Sequence, residues 1–244
     1  MIELRRRYSK VSTPSGGGRL PAEYQEVEYL QGNKKAFINL NTILQKGDYI
    51  RFTCTHIDSI AICVGTIDGE KRVGVGWNQK YLLLYYNNTY NNPIITNADG
   101  GMYTIEYKWN DKFSVALYNS ESSLIGEFKE TSTIDFIEKP LYLFACNNNS
   151  VSFAEYNGKI YKFELYRNNG RLLNLIPCYR KEDDVAGMYD LVSGEFYTNA
   201  GTGEFLVGQD VGVNAVLPSE YQRVEWLGNG EQDVLPYIMT EIYP

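Results

Sequence analysis

From Val27 onward, apolar and polar positions alternate with a period of two, the pattern of strands that rest one face on a core. Ile50, Phe52, Cys54 and His56 fall on one face, with Tyr49, Arg51, Thr53 and Thr55 on the other. Tyr103, Ile105, Tyr107 and Trp109 alternate in the same way with Met102, Thr104, Glu106 and Lys108. Phe113, Val115 and Leu117 follow after Asn110-Asp111, a turn signal between two alternating runs. Leu141, Leu143 and Ala145 form another run. Asn157-Gly158 leads into Lys159–Tyr166, where Tyr161, Phe163 and Leu165 share a face, and Asn168-Asn169-Gly170 turns the chain into Leu172–Pro177. Further strands are predicted at Ile60–Val64, Arg72–Gly76, Tyr81–Tyr86 and Leu124–Phe128. No window carries the 3.6-residue periodicity of an amphipathic helix. Roughly a dozen short strands spaced by turns predict an all-β antiparallel fold, a sandwich or barrel, with two large stacked sheets suiting that number best.

A repeat sets the boundaries. Leu20-Pro-Ala-Glu-Tyr-Gln-Glu-Val-Glu-Tyr-Leu30 returns 197 residues later as Leu217-Pro-Ser-Glu-Tyr-Gln-Arg-Val-Glu-Trp-Leu227, with eight of the first eleven positions identical. That separation is the length of a whole domain rather than of a solenoid repeat. The expected organisation is a basic arm and Gly-rich linker over 1–19, a sandwich over 20–208, and a linker with a partial copy of the opening strand over 209–244. The copy is either a truncated second module or a strand able to add to a neighbour's sheet.

Composition sharpens this in two places. The 21 tyrosines suit a strand-rich fold, and equally a surface made for sugar or protein contact. The formal net charge of -7 is uneven, because Arg5, Arg6, Arg7, Lys10 and Arg19 against Glu3 give residues 1–20 a net +4. An acidic body argues against nucleic acid as the main ligand, since phosphate binding needs clustered Lys and Arg. Met1-Ile2-Glu3-Leu4 runs into arginines rather than into the apolar core of a secretory signal, and no stretch is long enough for a membrane span. Cys54, Cys63, Cys146 and Cys178, with no Cys-x-x-Cys pair, read as buried free thiols of a protein made in a reducing cytoplasm.

Candidate chemistry is sparse. The single histidine, His56, is in phase with an apolar face and reads as a core imidazole; no Gly-x-Ser-x-Gly elbow accompanies it. The Glu-x-Asp-x-x-Glu spacing, by which glycoside hydrolysis on such a sandwich would place two carboxylates on one strand, does not occur. Glu182-Asp183-Asp184 lacks the alternating spacing of a calcium loop, and the cysteine spacing is not that of a zinc site. The expectation is therefore a non-enzymatic chain without metal or cofactor. The strongest ligand-contact candidate is the segment around Tyr85-Tyr86-Asn87-Asn88-Thr89-Tyr90, with Trp77 upstream. Aromatic faces stack on sugar rings and asparagine amides pair with hydroxyls, which nominates Trp77, Tyr85, Tyr86, Asn88 and Tyr90. The competing reading is a hairpin whose asparagines accept positive φ and whose tyrosines are half-buried. Asn147-Asn148-Asn149 is a second, weaker candidate loop.

Three runs in the last third of the module are distinctive: Gly158-Lys-Ile-Tyr-Lys-Phe-Glu-Leu-Tyr166, Gly187-Met-Tyr-Asp-Leu-Val192 and Glu195-Phe-Tyr-Thr-Asn-Ala-Gly-Thr-Gly-Glu-Phe205. With the Leu-Pro-x-Glu-Tyr-Gln-x-Val-Glu opening, the chain resembles concanavalin A-like (laminin G-like) modules of bacteriophage structural and fibre proteins and of gut-bacterial surface proteins. The resemblance implies a jelly-roll β-sandwich, a virion or surface location, and recognition or structural duty rather than catalysis. The expected chain is a virion protein made in the host cytoplasm that docks to other virion proteins through its N-terminal arm, forms homo-oligomers and turns its sandwich toward host surface polysaccharide. A purely structural virion subunit and a bacterial surface adhesin are the alternatives.

Overall fold

The computed structural model describes residues 19–212 apart from 34, 87, 88, 97–99, 111 and 131–136, and for 89 and 90 the backbone alone. The predicted arm and the copy of the opening strand lie outside these residues. In chain order the strands are β1 (Tyr24–Glu26), β2 (Leu30–Asn33), β3 (Ile38–Asn39), β4 (Tyr49–Thr55), β5 (Ile60–Asp68), β6 (Lys71–Asn78), β7 (Tyr81–Tyr86), β8 (Thr89–Ile95) and β9 (Met102–Trp109). There follow β10 (Phe113–Tyr118), β11 (Leu124–Lys129), β12 (Tyr142–Leu143), β13 (Cys146–Asn148), β14 (Val151–Phe153) and β15 (Lys159–Arg167). The last are β16 (Gly170–Arg180), β17 (Ala186–Asp190), β18 (Phe196–Thr198) and β19 (Glu204–Val207).

These strands make two sheets. The larger has the order β11-β10-β9-β4-β15-β16-β17-β18, with β1 on β16 and with β2 and β19 joined at β15; the smaller runs β14-β13-β5-β6-β7-β8, with β12 and β3 alongside β5. Pairing is antiparallel except where β13 lies parallel to β5. The chain is thus an all-β, antiparallel two-sheet jelly-roll sandwich, with no helix among the described residues. The core between the sheets is aromatic. Phe52 and Phe163 from the larger sheet, Trp77 and Tyr86 from the smaller, and Tyr107 and Phe113 all sit in one cluster.

Local chemistry explains the turns. Asn168 and Asn169 have φ of 50° and 62° between paired Arg167 and Gly170, the two-residue hairpin whose left-handed residues asparagine tolerates. The Asp190 carboxylate is fully buried and accepts hydrogen bonds from Asn174 N (2.7 Å), Val192 N (3.1 Å), Ser193 N (3.1 Å) and Ser193 Oγ (2.6 Å). Asn199 ties the next loop down: its Oδ1 accepts from Phe37 N (3.2 Å) and Gly201 N (2.8 Å), and its Nδ2 donates to Gly203 O (2.6 Å). The distinctive closing runs of the sequence are therefore turn chemistry that locks β17, β18 and β19 into place.

Two details differ from the sequence reading. A bulge between Ile160 and Lys162 puts Ile160, not Tyr161, on the core side with Phe163 and Leu165. An extra residue in one strand inverts the phase upstream of it, which strict alternation does not anticipate. The described residues also form 19 strands, more and shorter than the predicted dozen, in part because 141–156 breaks into three short strands. In that stretch Phe144, Asn149, Ser150 and Ala154 have positive φ.

Candidate functional site

The nominated aromatic loop does not present its rings. Trp77 is 0 % exposed and Tyr86 7 %; both point between the sheets, Trp77 against His56 (4.9 Å between ring centroids) and Tyr86 against Phe113 (4.7 Å). Tyr85 faces the other way but is 3 % exposed, beneath the Arg72 guanidinium at 4.6 Å from its centroid. Sugar stacking by Trp77, Tyr85 and Tyr86 is accordingly corrected: β5, β6 and β7 are buried on both faces, so aromatic residues at alternate positions are packed whichever way they point. Asn88 and the Tyr90 side chain lie outside what the structure describes. His56 is a core imidazole, its Nε2 donating to Gln79 O at 2.5 Å. In the acidic run, Asp183 is gripped by Arg180 through two hydrogen bonds of 2.9 and 2.6 Å, which holds its carboxyl below the ordinary value. All four cysteines are buried free thiols; burial pushes Cys178 up to about 12.

The accessible aromatic chemistry is on the outer face of the larger sheet. Strand register sorts its side chains into three rows across β11, β10, β9, β4, β15 and β16. The first reads Lys129, Ser114, Lys108, Tyr49, Tyr166, Arg171; the second Glu127, Ala116, Glu106, Arg51, Glu164, Asn174; the third Leu124, Tyr118, Thr104, Thr53, Lys162. Inward neighbours Ile50, Phe52, Ile105, Tyr107, Phe163 and Leu165 are buried, so the alternation of the core dictates what faces out.

Tyr49 and Tyr166 are cross-strand neighbours with ring centroids 5.4 Å apart and planes at 33°. Lys108 Nζ lies 5.5 Å from the Tyr49 centroid and the Arg171 guanidinium 5.4 Å from that of Tyr166, one cation at each end of the pair. Below them, Glu106 takes an ion pair from Arg51 Nε (3.6 Å). Partial burial and the neighbouring Glu106 carboxylate raise the Tyr49 phenol well above its ordinary value. Glu164 is the second hub, held by Lys162 (3.0 Å), Arg171 (3.2 Å) and the Tyr166 hydroxyl (3.1 Å). Thr53 and Thr104 share a hydrogen bond of 2.9 Å in the third row. The result is a flat, braced array of half-buried tyrosines, guanidinium and ammonium groups and two carboxylates. The outward phase of these residues was readable in the sequence; their assembly into rows was not, since it depends on pairing strands up to about a hundred residues apart.

No protein-family model matches the chain, and no curated protein matches it in sequence. Solved structures similar in fold include a heptameric SAP-like pentraxin from Limulus polyphemus, at 10% identity and TM-score 0.46 over 75% of this chain and 95% of that one. A candidate carbohydrate-binding protein from Bacteroides ovatus aligns at 10% identity and TM-score 0.49, over 75% of this chain and 60% of that one. Mouse laminin α1 domains LG4-5 align at 10% identity and TM-score 0.41, over 82% and 52%. Scytalido-glutamic peptidase also aligns, at 15% identity and TM-score 0.37 over 72% and 99%; the expectation of a non-enzymatic chain is corrected to the extent that a fold shared with a peptidase does not by itself exclude catalysis. Across strands, register sets Glu106 of β9 and Glu164 of β15 on either side of Arg51.

Proposed function

We propose that this chain is a lectin-like sandwich and that the outer face of its larger sheet binds glycans. The observation that carries the reading is the Tyr49–Tyr166 pair, bracketed by Lys108 and Arg171 and set beside Glu106, Arg51 and Glu164. Pyranose rings are amphipathic: their C–H faces pack on aromatic rings, and their vicinal hydroxyls match the paired donors of arginine and the paired acceptors of a carboxylate. A face already braced by its own hydrogen bonds loses little side-chain freedom on binding.

The finer reading is a bacteriophage virion module that docks through residues 1–19, assembles with copies of itself and engages host surface polysaccharide. It is supported by the resemblance of the opening and closing motifs, and repeated weak sites on one particle would suit recognition by avidity. Pull-down of the full chain on immobilised host surface polysaccharide tests the function, beside Tyr166→Ala and Arg51→Gln. Retention that both variants lose is the expected result. Retention that both variants keep would remove the site from this face, and no retention of a multivalent form would leave a structural subunit. Detection of the chain in purified phage particles tests the virion reading separately.

A further inference from the structure

We infer that the glycan recognised by this face is anionic, bearing carboxylate or sulfate groups; the inference rests on the glycan-binding reading above. The charges on the face are layered. The hub carboxylates lie low, with side chains 5 % exposed at Glu164 and 20 % at Glu106. The cations rise above them, at 50 % for Arg51, 40 % for Lys162, 44 % for Arg171 and 70 % for Lys129. Glu164 Oε1 takes Lys162, Arg171 and the Tyr166 hydroxyl, and Glu106 Oε1 takes Arg51, so the two carboxylates hold the cations in place from below. The exposed carboxylate, Glu127, stands at the edge and is paired with Lys129 at 3.0 Å.

The first row holds Lys129, Lys108 and Arg171 with no acidic member, and its two tyrosines lie between the last two cations. Lys108 and Arg171 are three strands apart, about 14 Å at the usual inter-strand spacing. Such a row presents two aromatic platforms with a cation at each end, which suits a short run of sugars carrying acid groups. The contrast with the rest of the chain is sharp: the net charge is -7 overall, whereas these three rows hold Arg51, Lys108, Lys129, Lys162 and Arg171 against Glu106, Glu127 and Glu164. Guanidinium recognises carboxylate and sulfate alike through paired N–H donors, so the shared chemistry is the oxyanion.

The test is binding of the full chain to polygalacturonate, dextran sulfate and uncharged dextran, with Lys108→Gln/Arg171→Gln and, on the smaller sheet, Lys71→Gln as control. At least one acidic polymer should bind, weakening roughly tenfold between about 50 and 300 mM salt as the charges are screened. The double variant should lose most of that binding while its melting temperature and the Lys71→Gln control are unchanged. Which acidic polymer binds separates carboxylate from sulfate. Dextran bound as tightly as the acidic polymers, or binding indifferent to salt, would overturn the inference and leave glycan binding standing. Silence from all three polymers would overturn both. Equal losses in the double variant and the control would reduce the effect to general charge attraction and overturn the assignment to this face.

Discussion

Arg167 grips the buried carboxylate of Asp48 with two parallel hydrogen bonds, Nε to Oδ1 at 2.9 Å and Nη2 to Oδ2 at 2.8 Å. The same guanidinium donates to Ile43 O at 2.8 Å, and Gln45 N closes the ring by donating to Asp48 Oδ2 at 2.7 Å. The clasp joins the entry of β4 to the end of β15, and so sets the register that puts Tyr49 beside Tyr166. Arg167→Ala would leave an uncompensated buried carboxylate and should cost about 3–5 kcal/mol in urea unfolding. A loss below 1 kcal/mol would mean that Asp48 finds water instead. Arg167→Lys, which cannot make the fork, should fall in between.

The corrected aromatic residues yield a second expectation. Trp77→Ala empties a fully buried site and should destabilise by about 3–5 kcal/mol. Tyr166→Phe, on the braced outer face, should stay within about 1 kcal/mol of the parent, since it removes one half-exposed hydroxyl. Equal stability of the two variants would refute the burial of Trp77 between the sheets.

Two glycines differ in a way that only contacts reveal. A Cβ on Gly201 would run into the Lys35 carbonyl oxygen and lie 2.9 Å from Phe37 Cδ1, whereas one on Gly170 has Arg167 O as its nearest neighbour at 3.5 Å. Gly201→Ala should therefore cost about 3 kcal/mol, because the Lys35 backbone and the Phe37 ring must both shift. Gly170→Ala should be within about 0.5 kcal/mol of the parent. Thermal unfolding of the pair separates them.

Alkaline pH should weaken the fold. Burial raises the Cys178 thiol from 9.0 to about 12 in the folded chain, so above pH 9 the unfolded chain gives up its proton first. A raised folded value contributes stability that is complete below the unfolded value and declines as pH rises toward the folded one. Buried Cys63 and Tyr107 are shifted upward by the same cause and act in the same direction. The urea midpoint should hold steady from pH 7 to 8.5 and fall from about 9 upward. Cys178→Ala should make that fall shallower by up to about 1.4 kcal/mol per pH unit, one proton's worth. An unchanged slope would exclude Cys178 from the effect.

Much of this protein is legible without coordinates. Strict alternation at Tyr49–Thr55 and Met102–Trp109 named both the strands and their outward residues, because one face of each meets the core and the other meets solvent. Asn168-Asn169 announced its hairpin because few other residues accept positive φ twice in succession. The closing runs around Asp190 and Asn199 stood out because one carboxylate and one amide satisfy many backbone groups at once. Alternation could not decide the exposure of Leu82-Leu83-Leu84-Tyr85-Tyr86, where apolar residues are continuous and burial depends on what covers each face. Nor could it place Glu106 and Glu164 on either side of Arg51, or Tyr49 beside Tyr166. Period two fixes which way a side chain points. Which side chains become neighbours is fixed by register between strands distant in sequence, and here the closure of the core, the bulge at Ile160 and the Asp48–Arg167 clasp decided it.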